Sequence, residues 1–114
     1  MRLSTTIFVV LCAMATAVSV QAAALGADRH AQAGVKCESC HGNDKANPVT
    51  PEIDVCTGCH NPDQLAEKTK DHKPTNPHVS PHYGKALECT YCHVQHGPTE
   101  DFCSQCHNFG FKVP

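Results

Sequence analysis

The chain has 114 residues, with nine Lys/Arg against eleven Asp/Glu and a formal charge of −2 when His is neutral. That length allows one small domain, and the mildly acidic balance disfavours a nucleic-acid partner. Nine Cys and nine His, with no Trp and 5% aromatic residues, direct attention to sulfur and imidazole chemistry rather than to an apolar core.

The first element is a leader. Met1-Arg2 is followed by an apolar run from Ile7 to Val20 and then by Gln21-Ala22-Ala23-Ala24. A charged start, an apolar middle and a small-residue end form a secretory signal, here assigned to residues 1–22 with cleavage after Ala22 or Ala24. The apolar run is 14 residues long. A membrane span needs about 20, so no stable membrane insertion is expected. Cys12 lies within this run and leaves with it.

After a lead of small residues carrying His30, one pentapeptide pattern occurs four times. It is Cys37-Glu-Ser-Cys40-His41, Cys56-Thr-Gly-Cys59-His60, Cys89-Thr-Tyr-Cys92-His93 and Cys103-Ser-Gln-Cys106-His107. Each reads C-x-x-C-H, the attachment signature of c-type haem. Two thiols three residues apart share one side of a helical turn, so both can form thioethers to one porphyrin. The adjacent His then reaches the iron from the same side. Zinc sites and disulfide frameworks also use paired Cys, but neither needs a His after every pair. A thioredoxin-like motif would occur once, beside a βαβ pattern that is absent here. Attachment of haem to this motif takes place outside the cytoplasmic membrane, so signal and motifs agree on a periplasmic protein.

Removing residues 1–22 leaves 92 residues, or 23 per motif, with eight Lys/Arg against eleven Asp/Glu and a charge of −3. So little peptide cannot build an ordinary core, and the porphyrins must supply it. The expected fold is a small multihaem cytochrome: a single domain over 23–114, with a few short α-helices and irregular loops wrapped around four haem c groups and no significant sheet. Both Met residues, Met1 and Met14, fall in the signal, which excludes His/Met iron ligation in the mature chain. Five His lie outside the motifs: His30, His72, His78, His82 and His96. Four irons need four further ligands, so bis-His ligation of every iron is possible with one His to spare. Such irons are low-potential, low-spin and coordinatively full. The molecule should carry electrons rather than act on a substrate.

Between the two motif pairs, Asn61-Pro62-Asp63-Gln64 is a helix start, with Asn as cap and Pro at the first position. The helix should run to about Lys70 and end as Pro74 approaches. Pro74, Pro77 and Pro81 then forbid a regular helix across 72–82, which is expected to be an extended, stiff strap presenting His78 and His82. Lys68, Lys70 and Lys73 alternate with Glu67 and Asp71, as on a solvated face. Tyr83, Tyr91, Phe102, Phe109 and Phe111 are expected to pack on porphyrin faces or close the core.

With these residues in view, the chain resembles the tetrahaem cytochrome domain of periplasmic flavocytochrome c fumarate reductases and the related small tetrahaem c-type cytochromes. The likeness spans nearly all of 23–114. It is densest from His82 through Cys89-Thr-Tyr-Cys92-His93-Val-Gln-His96 and from Asp101 to Pro114. The resemblance implies distal iron ligands at His82, seven residues before Cys89, at His96, three after His93, and at His30, shortly before the first motif. The family's remaining ligand lies three residues before the position of His82. Here His78 lies four before it, which reads as a one-residue insertion around Pro81, with His72 as the alternative. Which distal His serves which iron is open, although His96 is too close to His93 to reach the far face of the same haem.

In those reductases the domain continues into a catalytic flavin domain. No G-x-G-x-x-G fingerprint occurs in this chain. The resemblance therefore implies a non-catalytic electron donor in anaerobic respiration. It would take electrons from a membrane quinol-oxidising cytochrome and serve as the cytochrome subunit of a separate periplasmic flavoprotein reductase. A free-standing periplasmic shuttle is the alternative. A small multihaem reductase enzyme is a weaker one, because it needs an iron with an open position. Protein recovered from the exported fraction should begin at Ala23 or Leu25. Intact mass or N-terminal sequencing checks this, and a chain that keeps the apolar run would show an uncleaved anchor instead.

Overall fold

Short local hydrogen-bonded turns, rather than long elements, shape this chain. The computed structural model describes residues 24–114; the expected signal, residues 1–22, lies outside the described residues. Four short α-helices follow one another: α1 (Gly26–Gln32), α2 (Glu38–His41), α3 (Ile53–Thr57) and α4 (Pro62–Lys68). Two 3₁₀ turns, Cys89–Tyr91 and Phe102–Gln105, complete the regular structure of the described residues. Among the described residues there is no strand, only an isolated antiparallel bridge between Ser80 and Gly84. The expected few short helices without a significant sheet are what the described residues show.

Each helix has a local reason to start. In α1 the Asp28 carboxylate reaches back to accept from the Leu25 backbone N–H at 3.2 Å, placing an acid in the first turn. In α4 the Asn61 side chain accepts from the N–H groups of Asp63 at 2.9 Å and Gln64 at 3.1 Å, while Pro62 occupies the first helical position. The sequence expectation for this helix is met at its start. At its end Lys68 is the last helical residue, and Thr69 and Lys70 form one more turn through Thr69 N–H to Leu65 O and Lys70 N–H to Glu67 O.

The segment 72–82 departs from expectation. It is not an extended strap but a run of turns and bends. Proline removes backbone donors and blocks helix, but it does not by itself straighten the chain. Here Asn76 bends it. Its Oδ1 accepts from the His78 N–H at 3.0 Å and its backbone carbonyl from the Val79 N–H at 3.2 Å. Ser80 and Gly84 then exchange two backbone bonds of 3.0 and 2.8 Å, closing a loop that needs φ +58° at Gly84.

The two ends of the described chain meet. Arg29 of α1 donates to Ala24 O and to Pro114 O. The last residues are pinned by Thr99 Oγ1 donating to Val113 O and by the Phe111 N–H donating to Asp101 Oδ2, each at 2.9 Å. The Ala27 N–H donates to Gln95 O at 2.9 Å, and the buried Gly26 faces the Gln95 side chain, so α1 lies against the segment after the third motif. Lys85 pairs with Asp63 across 22 residues of sequence.

Apolar burial is slight. Among the described residues Ala66 is the buried hydrophobic residue, and no polar residue is buried. A peptide this short with so little apolar burial lacks the driving force to fold alone. Helix caps should therefore carry unusual weight, and Asn61→Ala should lower the stability of the holoprotein by about 1 kcal/mol in chemical denaturation.

Candidate functional site

The four motifs share one backbone turn. In each, the carbonyl of the first Cys accepts from the N–H of the second Cys and from the N–H of the His. The distances are 3.2 and 2.9 Å at Cys37, 3.2 and 2.9 Å at Cys56, 3.3 and 2.8 Å at Cys89, and 3.1 and 2.8 Å at Cys103. A bond to residue i+3 and another to i+4 make a single helical turn. That turn brings both thiols and the imidazole to one side, as attachment to one macrocycle requires. The turns are built into α2, into α3 and its continuation, and into the two 3₁₀ turns.

Every motif His faces one His from outside the motifs. Ring centroids are 5.8 Å apart for His41 and His96, 6.0 Å for His30 and His60, 6.3 Å for His78 and His93, and 5.9 Å for His82 and His107. Three pairs are stacked, at 27°, 12° and 28°; His30 and His60 stand at 82°. Two imidazoles sharing one metal through bonds of about 2 Å place their centroids about 6 Å apart. Each facing pair thus has the spacing at which two imidazoles could hold one metal between them. His72 is exposed, and among the described residues no ring faces it at this distance.

Hydrogen bonds orient several of these rings. His30 Nδ1 lies 2.9 Å from Gly26 O and His41 Nδ1 2.9 Å from Val49 O. A carbonyl only accepts, so each Nδ1 carries the proton and leaves Nε2 with its lone pair. This is the arrangement in which a ligating His donates its other N–H to an oxygen partner. His78 Nδ1 lies 3.0 Å from Thr69 Oγ1. Burial pushes the His78 pKa down, helped by the neighbouring His93 and His72. Burial likewise lowers that of His93; an oxygen of Pro114 opposes the shift, while Arg29 and His60 add to it. Both rings are thereby favoured as neutral imidazoles, the form that binds metal.

The cysteines also show which motifs adjoin. α3, which carries Cys56, packs on the turn Cys89–Tyr91. The Cys89 thiol is pushed up to about 11, by burial first and then by Cys56. Cys103 is raised by burial, then by Asp101 and by Cys92. The second motif therefore lies beside the third, and the third beside the fourth. Their surroundings favour the uncharged thiol, and the thioether that haem attachment would form is uncharged as well. The donor set fits a haem at every motif: two attachment sulfurs, one imidazole on the same turn and a second imidazole opposite.

The aromatic residues gather around the last two motifs. Phe109 stacks on His107 at 4.6 Å and 10°, with Phe111 at 5.4 Å from Phe109. Tyr91 stacks on Phe102 at 4.8 Å, and Tyr83 meets Phe102 edge-on at 6.2 Å. These contacts fix ring planes near His82 and His107, and sequence alone offers no signal for which aromatic meets which His. Lys70, in the turn after α4, pairs with Glu67, and both side chains are exposed.

The cytochrome c3 family description matches residues 29–108, which contain all four motifs and all five other His. The acrylate reductase cytochrome subunit of Shewanella woodyi is 41% identical over 81 residues, covering 68% of each chain. No solved structure matches the chain. No described helix is long and apolar enough to cross a membrane. Repeated attachment turns, paired imidazoles and the family match together lead to one conclusion: the chain belongs to the cytochrome c3 family, carries covalently bound haem c and acts as an electron carrier.

Proposed function

We propose that the chain holds four bis-His haems and works in the periplasm as the electron-donating cytochrome subunit of a separate flavoprotein reductase. The observation that carries the haem count and ligation is the one-to-one facing of motif and non-motif imidazoles at 5.8–6.3 Å. On this reading His96 lies opposite His41, His30 opposite His60, His78 opposite His93 and His82 opposite His107. His72 is the spare. Haem supplies the one-electron exchange at iron. The chain's residues supply two imidazole ligands per iron and the covalent tether, and they hold adjoining motifs close enough for electrons to pass between them.

The arrangement interleaves the sequence. The partner of the first motif's His comes from just after the third motif, and the partner of the second motif's His comes from α1, before the first. No centre is then completed by its own stretch of chain alone. An imidazole on each face leaves no position for substrate, which disfavours a reductase reaction on these irons.

The partner assignment draws on the relative, whose name makes it the cytochrome subunit of an acrylate reductase. A reductase acting on an unsaturated carboxylate, with flavin as its redox group, is the partner proposed here, and a membrane quinol-oxidising cytochrome the donor. The leader at residues 1–22 supports the periplasmic setting, with 23–114 as the mature cytochrome domain.

Two experiments test this. Replacing His30, His78, His82 or His96 by Ala should each turn one haem high-spin in the electron paramagnetic resonance spectrum, while His72→Ala should leave it unchanged. A high-spin signal from His72→Ala with none from His78→Ala would reverse the assignment of that loop. Gentle isolation of the native protein should bring down a stoichiometric flavoprotein, detected by flavin fluorescence and mass spectrometry. A lone tetrahaem species would instead make the protein a mobile shuttle.

A further inference from the structure

The knot between the end of α4 and the loop that follows it contains more polar organisation than a plain turn needs. Asn76 Nδ2 donates to Ala66 O at 2.7 Å, and Asn76 Oδ1 accepts from the His78 N–H at 3.0 Å. These two partners leave the amide a single orientation, because the carbonyl can only accept and the N–H can only donate. Thr69 Oγ1 lies 2.7 Å from Leu65 O, 2.7 Å from Asn76 Oδ1 and 3.0 Å from His78 Nδ1. Its single proton goes to one of the two oxygens, both of which are acceptors. Toward His78 the hydroxyl can therefore only accept, and His78 Nδ1 must donate.

The consequence is a defined tautomer. With Nδ1 protonated, the lone pair of His78 is on Nε2, and the ring stands 6.3 Å from His93 at an interplanar angle of 12°. The knot sits over Ala66, the buried apolar residue of the described chain, so it lies where the peptide is best anchored. An oxygen accepting from a ligand's second N–H raises the basicity of the ligating nitrogen, which favours the oxidised metal. A plain structural role would explain the Asn76 bonds to Ala66 and His78, but not the placement of a hydroxyl acceptor at the ring nitrogen.

We propose that Thr69 and Asn76 are positioning residues for His78: Asn76 fixes the loop on α4 and the Thr69 hydroxyl, held by that same knot, sets the ring's tautomer and plane and lowers the reduction potential of the haem bound through His93. This rests on the reading of His78 as the ligand opposite His93. It predicts that the loop's register, which the sequence leaves between His72 and His78, is decided by residues that are not themselves iron ligands.

The test uses the exported, haem-loaded full chain and its Thr69→Val, Thr69→Ala, Thr69→Ser and Asn76→Ala variants, with His78→Ala as control. Redox titration and electron paramagnetic resonance are read on each. Thr69→Val keeps the shape and removes the acceptor. It should leave every haem low-spin but shift one of them toward the reduced form by about tenfold in its equilibrium, about 59 mV for one electron. Thr69→Ala should do the same and serves if the valine variant fails to mature, and Thr69→Ser should restore the native value. Asn76→Ala should make a fraction of one haem high-spin. Unchanged potentials in Thr69→Val and Thr69→Ala, with His78→Ala turning one haem high-spin, would overturn the positioning role while leaving the ligand intact. Fully low-spin iron in His78→Ala would instead overturn the ligand assignment beneath it.

Discussion

Everything in this structure depends on a turn of five residues repeated four times. The carbonyl of the first Cys in each motif accepts from two successive donors, the second Cys and the His. One local bond pattern thereby delivers two sulfurs and an imidazole to the same side of the backbone. Because that geometry is satisfied within five residues, it asks nothing of the rest of the fold. The rest of the fold is needed only to bring a second imidazole to the opposite side.

That second requirement explains why the chain is organised as it is. With so little apolar surface buried, the peptide has few ways to hold distant segments together. It uses hydrogen bonds at specific places: Arg29 to Pro114 O, Ala27 N–H to Gln95 O, Phe111 N–H to Asp101 Oδ2 and Asn76 Nδ2 to Ala66 O. Each of these lies beside an imidazole of a facing pair or beside the segment that carries one. The first anchors α1, which bears His30, to the tail. The second sets α1 against the residues between His93 and His96. Polar bonds of modest individual strength suffice if covalent tethers and metal bonds supply most of the holding energy.

Electron carriage follows from the same economy. On the proposed ligation, an imidazole on each face would give an iron no vacant site, and the centre would change charge without binding substrate. Adjoining motifs, the second against the third and the third against the fourth, would provide the closeness on which transfer between the proposed centres relies. The facing imidazoles interleave the chain, because the ring opposite each motif His comes from a part of the chain outside that motif.

The motifs, the absence of Met beyond Met14 and the surplus of His were legible from residues alone, because C-x-x-C-H encodes its own geometry in five positions. So was the start of α4, where Asn61 and Pro62 act within one turn. Pairing was not legible. His96 meets His41 across 55 residues of sequence and His30 meets His60 across 30, and no local pattern encodes such separations. The loop at 72–82 shows the limit most clearly. Its prolines exclude a helix, but the bend that sets His78 rather than His72 opposite His93 comes from Asn76 reaching back to Ala66. That bond joins residues ten apart, and it exists only once α4 has formed and the chain has folded over it.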